Sequence, residues 1–396
     1  MTAETLPPPS TAIGPVAWMR RNLFASLPSS LMTGLLLGLL IVALIGIAQW
    51  AVGDARWDVV TRNLRLFLVG QYPVDQAWRV WLSLAILSVL TGASATVYGR
   101  TTRTMAVALS AIQLMLAGLM AVSAAGLVTV AFAANAIGVW AAYGIGLTVP
   151  LPRRILTGLW LLSLPVIFVL LSGIAGTPLV PVASGNWGGL LLTVLLAVVG
   201  IVLSFPLGVL LALGRRSDLP AVRILSTGYI ELIRGVPLIT ILFMADIMLP
   251  LLLPAELRID RVARAMGGIT LFSAAYVAEN VRGGLQAIPT GQIEAAQALG
   301  LSGMQTNRHI VLPQALRAVI PANVGLFISL LKDTTLVTIV GLLEILGIGR
   351  SVLAQSDSLG AHLEVYVFVA AVFFVLCYAM SQASYRLERQ LGIGQR

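Results

Sequence analysis

Charged side chains are scarce in this chain of 396 residues. Lys, Arg, Asp and Glu together make up 10% of it, and 58% of the residues are hydrophobic, whereas soluble domains are about a quarter charged. This composition excludes a soluble globular protein and indicates an integral membrane protein. The apolar runs are continuous and close to the length of a membrane-spanning helix, whereas the strands of a membrane barrel alternate. The chain is therefore predicted to cross the membrane as helices.

Three residue types that build chemical sites are also rare. Cys377 is the only cysteine, which excludes a disulfide or a cysteine-based metal site within one chain. His309 and His362 are too few and too isolated for a metal cluster. Lys332 is the only lysine and follows two leucines rather than a glycine-rich turn, so the chain has no Walker A sequence. No catalytic residue, metal or cofactor is predicted, which argues against a membrane-embedded enzyme.

The net charge of +9 arises largely from arginines at the ends of the apolar runs. They occur in close pairs: Arg20/Arg21, Arg100/Arg103, Arg153/Arg154, Arg215/Arg216 and Arg386/Arg389. This placement is typical of cytoplasmic ends of membrane spans, where arginine meets a phospholipid surface. The chain has no basic stripe with interleaved aromatic residues, so nucleic acid is not an expected partner.

The hydropathy pattern predicts about ten membrane helices in two groups of five. A cytoplasmic tail at 1–30, containing three consecutive prolines, is expected to be loosely structured or disordered. Helices at 31–175 follow, then a Gly/Pro-rich periplasmic linker at 176–187, and then a core at 188–390. The predicted spans are 31–51, 78–98, two within 105–149 that turn near 123–126, 155–173, 188–213, 238–253, 266–284, 319–331 and 363–383.

The arginine pairs place both termini in the cytoplasm, together with a long loop at 288–317. Arg258, Arg261 and Arg264 fall on the outer side, against this rule.

The loop at 288–317 is polar and is interrupted by several glycines and prolines, although it lies between hydrophobic spans. Residues 294–300 read EAAQALG, and residues 310–313 read IVLP. Two short helices broken at Gly300 are predicted, because a residue without Cβ adopts a left-handed conformation at low cost. Ser302 and Gln305 have the spacing of a capping box that opens the second helix. Pro313 is expected to prevent that helix from continuing smoothly.

The spacing E-A-A-x3-G-x9-I-x-L-P resembles the coupling loop of ABC-transporter permeases, which docks into a groove on a separate ATPase. Further segments resemble the membrane subunits of bacterial polar amino-acid ABC importers: PLGVLLALGR at 206–215, RGVPL at 234–238, AYVAENVRGG at 275–284, GQIEAA at 291–296 and LKDTTL at 331–336. The long N-terminal half resembles the larger of these subunits, as in general L-amino-acid permease systems.

This resemblance implies an all-α permease subunit in the bacterial inner membrane that imports L-amino acids. It implies as partners an ATPase that binds the ATP, a second permease subunit that is expected to be a paralogue, and a periplasmic amino-acid-binding protein. It assigns contact with the ATPase to residues of the loop: Glu294, Ala295, Ala296, Leu299, Gly300, Ile310, Leu312 and Pro313.

A few polar residues inside the spans are candidates for the substrate pathway, because charges there are costly. Glu279, with Tyr276 one turn away, either lines a pathway or pairs with a neighbour such as Arg282. Asp246 either lies near the substrate or makes an interhelix hydrogen bond.

The segment Lys332-Asp333-Thr334-Thr335 has two readings. It either binds the ammonium and carboxylate groups of an amino acid, or it is a self-neutralising pair at a helix end.

A competing hypothesis is a secondary transporter or channel that uses Glu279, Asp246 and Lys332 as an ion relay. Uptake that persists without ATP hydrolysis but collapses with the proton gradient would favour it.

Overall fold

Long α-helices dominate the computed structural model, which describes residues 14–122, 126–149, 151–254, 256–257 and 259–392. The chain divides into two compact units, 1–57 and 58–396. In the first, α1 is Pro15–Asn22 and α2 is Leu27–Gln49, which a π-helical segment extends to Asp54. The tail at 1–30 therefore contains a helix where a loosely structured segment was predicted, and its three consecutive prolines, at 7–9, lie outside the described residues.

The second unit begins with two short helices and four long ones. They are α3 (Asp58–Arg62), α4 (Leu64–Val69), α5 (Trp78–Val97), α6 (Arg100–Val122), α7 (Gly126–Thr148) and α8 (Arg153–Ser172). The turn predicted near 123–126 falls between α6 and α7, and most of it lies outside the described residues. The helices α5, α6 and α7 pack on one another, and α8 packs on α5.

The remaining helices lie in the region 188–390, which is called the core below. They are α9 (Gly189–Arg215), α10 (Pro220–Arg234), α11 (Leu238–Phe243), α12 (Leu249–Leu252), α13 (Arg261–Gln286), α14 (Thr290–Ala298), α15 (Gly303–Thr306), α16 (Leu312–Ala318), α17 (Ile320–Asp333), α18 (Ile345–Leu353) and α19 (His362–Gln390). A π-helical segment, Met244–Met248, joins α11 to α12.

The number of candidate spans is close to the ten that were predicted. In the described part of the chain, eight helices are long and apolar enough to cross a membrane, and α10 with α11–α12 is a candidate ninth, bent by 107°. The tenth segment, α13, has 26 residues and packs among α9, α10 and α17. Helix α10 was not predicted, because its polar residues interrupt the apolar pattern.

The centre of the core is the close packing of α9 on α13. Gly208 of α9 permits this approach, because a Cβ at that position would lie 2.5 Å from Cβ of Val277 and 2.8 Å from the carbonyl oxygen of Ala274. Small residues at helix interfaces let backbones approach where lipid gives little hydrophobic driving force. The two helices therefore form a rigid pair on which the rest of the core is arranged.

Replacing Gly208 with alanine is expected to destabilise the protein by about 1–3 kcal/mol, the usual cost of overpacking a close contact. Gly267→Ala is the matched control in α13, since no atom lies within 4 Å of a Cβ built there. Thermal unfolding in detergent is the measurement. Equal melting temperatures for the two variants would contradict the packing account.

The N-terminal half packs directly against the core through α3 and α4. Val59 and Phe67 share a buried cluster with Ile345 and Val352 of α18 and Val365 of α19. The predicted linker at 176–187 is also anchored: the carbonyl oxygen of Val180 accepts a hydrogen bond from the buried Arg79 (2.8 Å), and Val182 and Trp187 are buried. Helices α3, α4 and α6 of the second unit therefore contact the core, and the residues predicted as a linker form a packed segment.

Glu344 is a fully buried carboxylate that begins α18, a helix that was not predicted. Its side chain accepts hydrogen bonds from the backbone N–H groups of Leu346 (2.9 Å) and Gly347 (2.7 Å) and from the hydroxyl of Thr338 (3.0 Å). Burial raises the pKa of Glu344, although these three donors oppose the shift.

A carboxyl group whose pKa is raised on folding makes the protein less stable as the pH rises through that pKa, because the folded state holds the proton more tightly. Glu344→Gln cannot ionise, so its melting temperature is expected to rise relative to that of the wild type as the pH increases above about 4. Glu231→Gln, at an exposed carboxylate, is the control against which this trend is compared. If the melting temperature of Glu344→Gln minus that of the wild type stayed constant or fell as the pH rose, the burial argument would be contradicted.

Candidate functional site

The loop between α13 and α17 is an ordered structure built around Gly300. Helix α14 ends there: the N–H of Gly300 donates to the carbonyl oxygen of Gln297 (2.9 Å), and the N–H of Leu301 donates to that of Ala296 (3.1 Å). These two hydrogen bonds require a residue in the left-handed conformation, and Gly300 has φ +77°. The predicted helix break at Gly300 is confirmed.

The second half of the loop begins with the predicted capping box. The Ser302 hydroxyl accepts from the N–H of Gln305 (3.3 Å), and the Gln305 side chain accepts from the N–H of Ser302 (2.9 Å). A π-helical segment, Asn307–Val311, then leads into α16. Pro313 lies just after this segment, near the start of α16. Because proline has no N–H to donate, it would interrupt the hydrogen bonds of a regular α-helix. The interruption of the helix that was expected at Pro313 therefore takes the form of a π-helical segment.

The loop has a buried side and an exposed side. Val311 and Ala315 pack into a buried cluster with Leu285 of α13, which holds the loop on the core. Ala296 is 3% exposed, so it packs the loop internally, and its contact with the ATPase stays a prediction. Ile310 and Leu312 are half-buried and contribute in part to the same inner side.

The exposed side combines apolar and acidic groups. Leu299 is 83% exposed and Met304 is 82% exposed. Glu294, Ala295 and Pro313 are exposed as well. Large apolar side chains held outward on an ordered polar loop are typical of a docking surface for another protein. We call this exposed side the loop surface.

Glu279 lies in a cluster of arginines near the end of α13 that leads into the loop. Its carboxylate contacts Arg282 (2.5 Å), Arg234 (3.4 Å) and Arg215 (3.7 Å). Arg215 also pairs with Glu231 (2.9 Å). We call these five side chains the arginine cluster.

This cluster joins the ends of α9, α10 and α13 through one carboxylate. Tyr276, one turn from Glu279, packs on Phe272 and lies under the guanidinium of Arg234 (5.8 Å). In the structure, Glu279 is paired with arginines, which is the second of the two alternatives given for it above. Tyr276 lies beside these paired side chains.

Asp246 is also paired. Its carboxylate contacts Arg264 (2.9 Å) and Arg261 (3.3 Å), and its carbonyl oxygen accepts from Arg264 (2.8 Å). These contacts join the π-helical segment at 244–248 to the start of α13, as the interhelix alternative predicted. They also account for Arg261 and Arg264, which were predicted to lie on the outer side against the charge rule, because both arginines compensate the charge of Asp246. The third such arginine, Arg258, lies outside the described residues.

The segment at 332–335 ends α17 without forming a converging polar site in the structure. Lys332 is exposed and Asp333 is half-buried. The hydroxyl of Thr334 donates to the carbonyl oxygen of Leu331 (2.6 Å), and that of Thr335 donates to the carbonyl oxygen of Lys332 (2.8 Å). Both hydroxyls therefore serve their own helix end.

Sequence reasoning identified the acidic residues and Arg282 but missed the other partners in these clusters. Arg215 and Arg234 are far from Glu279 in sequence, and Arg264 is 18 residues from Asp246. The only available signal was that both acidic residues lie in apolar surroundings and require compensation.

Comparison with known proteins identifies the class to which this fold and loop belong. The family described as the binding-protein-dependent transport system inner membrane component matches residues 204–391. The glutamate/glutamine/aspartate/asparagine transport system permease protein BztC of Rhodobacter capsulatus is 39% identical, over 97% of this chain and 95% of its own length. The inner membrane amino-acid ABC transporter permease protein YhdY of Escherichia coli is 36% identical, over 96% and 94%.

A shorter relative matches about half of this chain. The probable glutamine ABC transporter permease protein GlnP of Bacillus subtilis is 36% identical over 51% of this chain and 91% of its own length. The chain belongs to the family of inner-membrane components of binding-protein-dependent transport systems, and is a multi-pass permease subunit.

Proposed function

We propose that this chain is the membrane subunit of an ATP-driven importer of L-amino acids and that the loop surface docks on a separate ATPase. The substrate class rests on the relatives that match almost its whole length, whose names refer to glutamate, glutamine, aspartate and asparagine or to amino acids in general. A broad or polar amino-acid specificity fits both. ATP is bound by the partner, so the chain needs no cofactor of its own.

The observation that carries the coupling role is the loop surface. Leu299 and Met304 project outward from a loop whose helix break, capping box and buried inner side fix their positions. A rigid surface of this kind transmits a displacement of its partner, whereas a flexible loop would absorb it. Glu294 adds a carboxylate that can receive an arginine of the partner by a charge-assisted hydrogen bond.

The loop connects directly to the ends of three core helices. Residues after Arg282 lead from α13 into α14, and the arginine cluster ties this end of α13 to α9 and α10. We propose that closure of the ATPases moves the loop and that the arginine cluster transmits this motion to the three helices together. Glu279 then contributes to transport by holding the helices in register.

We propose a cytoplasmic location for the loop and both termini, because the paired arginines 100/103, 153/154, 215/216 and 386/389 then all lie at cytoplasmic helix ends. The partners in this proposal are an ATPase, a second permease that is a paralogue, and a periplasmic amino-acid-binding protein. Contact of the substrate with Lys332, Asp333 and Thr335 remains a prediction.

The test is amino-acid uptake into proteoliposomes that contain the assembled complex and the binding protein. Uptake is expected to require ATP on the side of the loop and to survive collapse of the proton gradient by a protonophore. Uptake that continues without ATP hydrolysis and stops with the protonophore would instead support an ion relay through Glu279, Asp246 and Lys332.

A further inference from the structure

The seam between α6 of the N-terminal half and α19 of the core contains two adjoining cavities. The first, of about 470 Å³, lies between the start of α6 and the end of α19, from Thr104 to Ile112 and from Val375 to Arg386. The second, of about 570 Å³, continues along the same two helices and reaches Phe67 of α4. Ile112 and Val375 line both cavities, so together they form one groove, which we call the α6–α19 groove.

The groove is polar at only one end. The second cavity is lined by apolar residues alone. The first has an apolar wall, but Thr104, Tyr378, Gln382 and Arg386 lie along it toward one end. A long apolar groove with a cation at its mouth is complementary to an amphiphile that has an anionic head and a hydrocarbon tail.

Arg386 is the cation at that mouth, and its surroundings leave it available. In the part of the chain that the structure describes, no carboxylate lies within 4 Å of its guanidinium. Its neighbours on α19 are engaged: Arg389 donates to the Tyr385 hydroxyl (2.7 Å) and lies over that ring, and Glu388 accepts from Ser384 (2.7 Å).

The length of the polar-ended cavity matches one leaflet of a bilayer. Val375 and Arg386 are eleven residues apart on α19, which is about 16 Å along a helix axis. Half of a hydrocarbon core of about 30 Å is about 15 Å. An acyl chain that begins near Arg386 therefore ends near Val375, at the bilayer centre.

We propose that the α6–α19 groove binds one anionic glycerophospholipid, with its phosphate on Arg386 and an acyl chain between α6 and α19. Gln382 lies one turn away and supplies an amide N–H to the same headgroup. The bound lipid fills the first cavity of the seam between α6 and α19, so it joins the two halves where protein packing leaves space.

The experiment is native mass spectrometry of the full-length chain in its complex, with phosphatidylglycerol or phosphatidylcholine added to the detergent. The wild type is expected to retain one phosphatidylglycerol per copy of the chain, in preference to phosphatidylcholine. Arg386→Ala is expected to lower that retention about five-fold, from the loss of one arginine at the membrane surface. Arg389→Ala is the matched control and should retain the lipid as the wild type does.

A second variant tests the groove itself. Ala379→Trp places a large ring in the groove and is expected to lower retention of the lipid while leaving the arginine in place. Equal retention by the Arg386→Ala and Arg389→Ala variants, equal retention of the two lipids, or a protein chain in place of the lipid would each overturn the proposal.

Discussion

Replacing Glu279 with alanine is expected to destabilise the protein by about 2–3 kcal/mol, below the roughly 3–5 kcal/mol typical of fully buried pairs because this carboxylate is 22% exposed. The variant leaves the guanidinium groups of Arg215, Arg234 and Arg282 close together with one fewer carboxylate between them. The expected result is a lower melting temperature and a lower yield of folded protein, measured by fluorescence-detected size-exclusion chromatography after heating.

Glu231→Ala is the matched control within the same cluster. Glu231 is 57% exposed and pairs with a single arginine, so its loss is expected to cost no more than about 1 kcal/mol. A Glu279→Ala variant as stable as Glu231→Ala would show that the arginine cluster does not hold the three helices together.

Replacing Gly300 with valine is expected to reduce amino-acid uptake at least ten-fold without preventing insertion of the chain. A β-branched residue at φ +77° is strained by about 1–2 kcal/mol or more, and the loop can relieve this strain by opening the two hydrogen bonds that end α14. Opening them moves Leu299 relative to Met304 and disrupts the loop surface. The measurement is uptake together with the amount of ATPase that co-purifies.

Two further variants separate backbone strain from side-chain bulk. Gly300→Asn retains a residue type that adopts the left-handed conformation and is expected to restore most of the uptake. Gly303→Val adds the same bulk nearby, where φ is not positive and no atom lies within 4 Å of a Cβ, and should remain active. Normal uptake and assembly with Gly300→Val would contradict the coupling role of the loop.

The membrane spans and the loop were predictable because each depends on short-range sequence. Continuous apolar runs give the positions of helices to within a few residues, as with the span predicted at 363–383 and found as His362–Gln390. The break at Gly300 and the capping box at Ser302 follow from backbone chemistry within a few residues. These features need no knowledge of tertiary contacts.

The ion pairs and the additional helices depend on long-range contacts and could not be predicted in this way. Nothing in the sequence shows that Arg215 and Arg234 meet Glu279, because the three lie on different helices. Ala296 belongs to the motif that predicted a contact with the ATPase, but its burial follows from the fold of the loop. A buried carboxylate such as Glu344 is likewise recognised only when its donors are seen.

Crosslinking from the loop surface tests the central claim most directly. Because Cys377 is the only cysteine, a Cys377→Ala background allows a single new cysteine at Leu299, or at the exposed Val180 as a control at the opposite helix ends. In native membranes, Leu299→Cys is expected to crosslink to an ATPase subunit identified by mass spectrometry, and Val180→Cys is not. Absence of an ATPase from the Leu299→Cys product, or an equal yield from both positions, would contradict the account.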